Sequence, residues 1–116
     1  MRVMVLVKAT PASETESMDP SWAAQMMAAM DRYNADLRAA GILVMAEGLK
    51  PSAHGQRVTI DGDSRTIVEG PFPDPETLVA GFWIWEVETM EEAMAWAMRC
   101  PNPMPTSSQI EVRPFY

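Results

Sequence analysis

The chain has 116 residues, which suits one domain spanning 1–116, and 47% of them are hydrophobic, enough for a core without a disulfide or metal staple. Nine basic residues against sixteen acidic ones give a net charge of −7, which argues against nucleic acid or an anionic membrane as partner, since both are bound through basic surface. One cysteine and one histidine can make neither an internal disulfide nor a structural zinc site, and no apolar run is long enough for a signal peptide or a membrane span, so a soluble, cytoplasmic domain is expected.

Arg2 to Lys8 is β-branched and apolar on both faces, as in a central strand covered on two sides; Lys8 falls on the face of Met4 and Leu6. Thr10 to Met18 is polar and reads as a loop. Asp19 and Pro20 then open a helix, with an acceptor at the N-cap and a proline where no N–H is needed. Trp22, Met26, Met30, Tyr33 and Leu37 form one stripe of that helix, and Gly41 closes it as a left-handed cap. Ile42 to Leu49 is a second strand, with Leu43, Met45, Glu47 and Leu49 on one face. Arg57–Ile60 and Arg65–Val68 flank Asp61-Gly62, a hairpin signal. The proline-heavy run from Glu69 to Pro75 cannot sit inside a sheet. Gly81 to Val87 is again apolar on both faces. Thr89 and Glu92 have capping-box spacing for a second helix, whose apolar face comprises Met90, Ala93, Met94, Ala97 and Met98, widened by Trp96 and Cys100. Ile110 to Pro114 is a last strand, with proline suited to an edge.

The order strand, helix, strand, hairpin, strand, helix, strand is a ferredoxin-like βαββαβ plan of the α+β class carrying an extra β-hairpin. Two helices cover one face of such a sheet, whereas two of its strands are apolar on both. A second copy is the simplest cover for the other face, so a homodimer is expected.

From end to end the residues resemble the YCII-related, or DGPF-domain, family of bacterial proteins. The resemblance rests on the opening Met4-Val5-Leu6-Val7-Lys8, on Tyr33-Asn34 leading to Ala40-Gly41, and on Glu47 through Pro51. It continues in Gly70-Pro71-Phe72, Gly81-Phe82, Trp96 through Pro101, and Glu111 through Pro114. It implies a dimeric α/β barrel, in which two ferredoxin-like sheets face each other. The family motif begins with aspartate where this chain has Glu69, one methylene longer. Relatives with a shorter domain carry a His-Asp pair proposed as catalytic, and this chain offers no counterpart. The resemblance supplies no reaction, and for some members it suggests a link to transcriptional regulation.

Lys8 and Glu47 interrupt apolar strand rows, so they are candidates for a ligand-anchoring or acid–base pair; a structural ion pair, or strand ends reaching solvent, is the plainer reading. Glu69 is a further carboxylate candidate. Gly70, Pro71 and Phe72 form either a ligand-facing loop or a stiff connection anchored by the phenyl ring. His54, the one imidazole, is a candidate ligand-binding or general-base residue but reads more readily as a surface loop residue, and Cys100 as a small buried hydrophobe. The eleven methionines and four tryptophans suit core and interface filling more than the walls of a pocket. No phosphate loop, dinucleotide fingerprint or metal cluster is present in the sequence, and no cofactor is expected. The functional expectation is a small-molecule binding or sensing domain. The alternatives are a cofactor-independent enzyme using carboxylate chemistry and a protein-binding accessory subunit.

Overall fold

The chain runs β1 (Arg2–Lys8), α1 (Pro20–Ala39), β2 (Leu43–Gly48), β3 (Gln56–Asp61), β4 (Ser64–Glu69), β5 (Val79–Glu86), α2 (Met90–Ala97) and β6 (Ile110–Pro114), with short 3₁₀ turns at Ser52–His54 and Pro75–Thr77. This computed structural model describes all 116 residues. Four strands form one antiparallel sheet in the order β2-β5-β1-β6, and β3 and β4 pair only with each other. Two helices, a mainly antiparallel sheet and this strand order are consistent with a ferredoxin-like α+β fold, from which the hairpin stands off.

Alternation along the two central strands sorts their side chains. Val3, Val5 and Val7 of β1, with Trp83 and Trp85 of β5, face the helices and are buried. Tyr33 and Leu37 of α1 and Ala93 and Ala97 of α2 complete that core. Met4 and Leu6, beside Phe82 and Ile84, lie on the opposite face, which no element of the chain covers. β1 is therefore interior to the sheet but covered on one side only, not on two.

The helix signals act as their chemistry requires. Asp19 accepts from the backbone N–H of Ser21 at 2.8 Å, Pro20 occupies the first turn, and Gly41 takes a φ of +74° just beyond the cap at Ala40. At α2, Thr89 accepts from the N–H of Glu92, while the Glu92 carboxylate reaches back one residue further, to the N–H of Glu88.

Four expectations are corrected. The stripe of α1 is buried only at Tyr33 and Leu37; Trp22, Met26 and Met30 are half-buried, because the first half of the helix does not pack onto large side chains. On α2 the buried stripe runs through Ala93 and Ala97, rotating Met94 and Met98 to the outside, where Met98 is 84% exposed. A bulge between Leu43 and Met45 pairs Leu43 with Trp85 and Met45 with Ile84, so Leu43 faces the core while Met45 and Glu47 face away from it. The hairpin turn centres on Gly62 and Asp63, one residue later than expected, because the glycine supplies the positive φ of 57° at the first central position.

All of β3 and β4 is exposed, and Val58, Ile60 and Ile67 form an outward apolar cluster on one face of the hairpin. The projecting hairpin helps raise the radius of gyration to 15.8 Å, against roughly 13 Å for a compact chain of this length.

Candidate functional site

The helix-facing side of the sheet carries small residues where β2 meets the start of β5. Ala46 lies opposite Trp83, and Gly48 opposite Gly81, so beside the Trp83 indole a patch of Ala46, Gly48 and Gly81 with almost no side-chain volume underlies the first half of α1. A cavity of about 420 Å³ opens there, within the range of small-molecule sites. Its helical wall is Met26, Met27, Met30, Asp31 and Asn34; positions 27, 30, 31 and 34 share one face at helical spacing. Met18 and Ser13 enter from the loop after β1, and Pro103 and Met104 from the segment after α2. Five of the chain's eleven methionines line this space. The expectation that methionines serve mainly core and interface is corrected to that extent. Met104 also belongs to the buried core and Met30 packs against it, while Met18, Met26 and Met27 border the open space above the small-residue patch.

The polar geometry is defined. Trp83 Nε1–H donates to Asn34 Oδ1 at 2.8 Å. An indole can only donate, so this bond sets the amide orientation and leaves Asn34 Nδ2 as the group without a protein partner. Asp31 and Glu47, the two ionisable residues lining the cavity, make no salt bridge.

The loop over the cavity is tied at both ends. Thr10 Oγ1–H donates to Met104 Sδ at 3.3 Å, and Ser13 Oγ–H donates to the Thr10 carbonyl at 3.0 Å. Glu14 accepts from the Ser52 N–H at 3.1 Å and from the Ser52 hydroxyl, and Glu16 pairs with His54. The hydrogen bond and charge of His54 hold the Glu16 carboxyl below the usual range.

The candidate residues read from the sequence separate into three places. Glu47 borders the cavity at the edge strand, although its pairing with Phe82 sets its side chain on the uncovered face. Lys8 lies on that same face but makes no ion pair with Glu47. The central strand β5 intervenes, putting the two on strands about 10 Å apart. Glu69, Gly70, Pro71, Phe72 and His54 gather at the base of the hairpin, away from the cavity lining. There the Gly70 N–H donates to the Gly55 carbonyl, and Phe72 N–H donates to Ser52 Oγ at 2.9 Å. The Arg57 guanidinium lies 3.9 Å from the centre of the Phe72 ring. A Cβ on Gly70 would stand 1.8 Å from the Ser52 carbonyl oxygen, so only glycine fits this turn. Glu69 accepts from Gln56 Nε2 across the hairpin at 3.3 Å. Cys100 is half-buried, donates to the Pro101 carbonyl, and has its thiol pushed up to about 11 by burial, which leaves it protonated near neutrality.

Sequence reasoning did not single out Asp31 or the site role of Asn34. The available signal was their spacing from Met27 and Met30, joined to the glycines at 48 and 81 across the facing strands.

The YCII-related domain model matches residues 1–116, the whole chain. The chain belongs to this family. None of the curated proteins matches it. In this YCII-related domain the polar residues at the cavity are Ser13, Asp31, Asn34 and Glu47, while the one histidine lies outside it, engaged with Glu16. No helix is long and apolar enough to cross a membrane.

Proposed function

We propose that this YCII-related protein is a small-molecule binding or sensing domain that works as a cytoplasmic homodimer, with the space between α1 and the β2–β5 strands as its ligand site. The cavity of about 420 Å³, walled by methionines and Trp83 and bearing a few fixed polar groups, carries this reading. A screen of metabolites by thermal shift tests it, run on wild type beside Gly48→Leu. An added Cβ at Gly48 meets nothing within 4 Å, so leucine there occupies the cavity without a backbone clash. Ligands that stabilise wild type and lose their effect in Gly48→Leu support the reading; ligands that act equally on both refute it.

The uncovered sheet face supports the dimer. Its centre is Met4, Leu6, Phe82 and Ile84 on the two inner strands, while Glu47, Glu111 and Arg113 stand on the outer ones, the apolar-core, polar-rim arrangement of protein interfaces. Two such faces together would make the dimeric α/β barrel. Light scattering over a dilution series should give twice 12.9 kDa; a folded monomer throughout would refute it.

A second reading, a cofactor-independent enzyme, is favoured by Glu47, an unpaired carboxylate at both the cavity edge and the rim of the uncovered face. In a face-to-face dimer Lys8 would share that rim as its electrostatic partner. Glu69 belongs to the hairpin and would take part only if the hairpin folded over the partner.

A further inference from the structure

We infer that the cavity selects an organic cation, an alkyl- or arylammonium ion whose ammonium group meets Asp31 while its apolar body lies against the methionines and Trp83. The inference rests on the cavity being a ligand site and adds the class of ligand.

Three observations carry it. First, Asp31 is the one charged side chain on the helical wall of the cavity; Glu47 borders the space from the edge strand with its side chain on the other sheet face, no lysine, arginine or histidine is among the lining residues, and Asp31 makes no salt bridge. An anion entering this space would meet the uncompensated Asp31 carboxylate, whereas a cation would pair with it. Second, Asp31 does not stand apart from the apolar wall. It is one turn beyond Met27 and next to Met30 on the same helix, so a molecule lying along α1 reaches thioethers and carboxylate together. The thioethers and the Trp83 indole that line the space are soft, polarisable groups beside which an organic cation is favoured over a hydrocarbon of the same shape. Third, the bond from Trp83 fixes Asn34 with its Nδ2 free, providing a donor one turn from Asp31 for a hydroxyl or carbonyl on the same ligand.

The test uses three probes of one skeleton: 3-phenylpropylamine, 3-phenylpropanol and 3-phenylpropanoate. Each is titrated into wild type, Asp31→Asn and Gly48→Leu by calorimetry and by methionine-methyl NMR. The amine should bind wild type at least tenfold more tightly than the alcohol, the acid should bind least, and the methyl signals of Met26, Met27 and Met30 should move. Asp31→Asn should bring the amine to the level of the alcohol, and Gly48→Leu should abolish binding of both while remaining folded in a thermal melt. Equal binding of amine and alcohol in wild type, or an amine advantage that survives Asp31→Asn, overturns the cation selection but leaves the cavity as the site. Binding undiminished in Gly48→Leu, or no binding of any probe, overturns the site as well.

Discussion

Tyr33 joins both helices to the sheet, and its removal by one atom has a calculable consequence. Its ring packs edge-on to Trp83 at 5.8 Å and lies 6.5 Å from both Trp85 and Trp96. Its hydroxyl donates to the Trp96 carbonyl at 2.6 Å, linking α1 to the end of α2. Tyr33→Phe keeps the ring contacts and deletes that bond. The Trp96 carbonyl also accepts from the Arg99 N–H at 3.0 Å, so it is not stranded, and the cost is that of a lost bond, about 0.5–1.5 kcal/mol. For a chain of this length that corresponds to roughly 2–6 °C in Tm. The pH dependence is a sharper check. Burial, reinforced by the neighbouring Cys100 and opposed by Arg99, holds the Tyr33 phenol well above its ordinary value of 10. A group whose pKa is raised in the folded state contributes its full stability below pH 10. As pH climbs past 10, the unfolded chain releases the proton while the folded one retains it. Wild type should therefore lose about 1.4 kcal/mol per pH unit relative to Tyr33→Phe above pH 10. The other titrating groups largely cancel in the comparison, so the two stabilities should converge near pH 11. Urea unfolding followed by tryptophan fluorescence at pH 7, 10 and 11 measures both effects. Equal stabilities at pH 7, or a gap that stays constant up to pH 11, would refute the assignment of Tyr33 as a buried donor.

Leu37→Ala should cost about 2–5 kcal/mol in urea unfolding, since Leu37 is fully buried, whereas Met30→Ala, half-buried beside open space, should cost only about 1 kcal/mol; equal losses would mean that the cavity is filled. Gly70→Ala forces a Cβ into the Ser52 carbonyl, so the hairpin should become susceptible to limited proteolysis while the amides of β1 and β5 keep their hydrogen-exchange protection. His54→Ala should return the Glu16 carboxyl towards its ordinary value of 4.5, seen as a shift of its titration in carboxyl-carbon NMR; an unchanged titration would show that His54 is not its partner.

The strand and helix plan was legible because it rests on local chemistry. Asp19 with Pro20, the glycines at 41 and 62, and the alternation of Val3, Val5 and Val7 each act within a few residues of themselves. Periodicity marked Lys8 and Glu47 as polar breaks in two apolar strand rows, but only the strand order could show how far apart those rows lie. β5 arrives between their strands from more than thirty residues further along the chain. The cavity was hidden for a related reason. A methionine stripe looks the same whether the opposing surface is bulky or bare, and the bare surface here is assembled from Ala46 and Gly48 on one strand and Gly81 on another. Side-chain type and spacing thus determined which face of α1 turns inward. Tertiary structure alone decided that the first half of that face meets empty volume rather than core, because volume is left over only where distant strands bring small residues together.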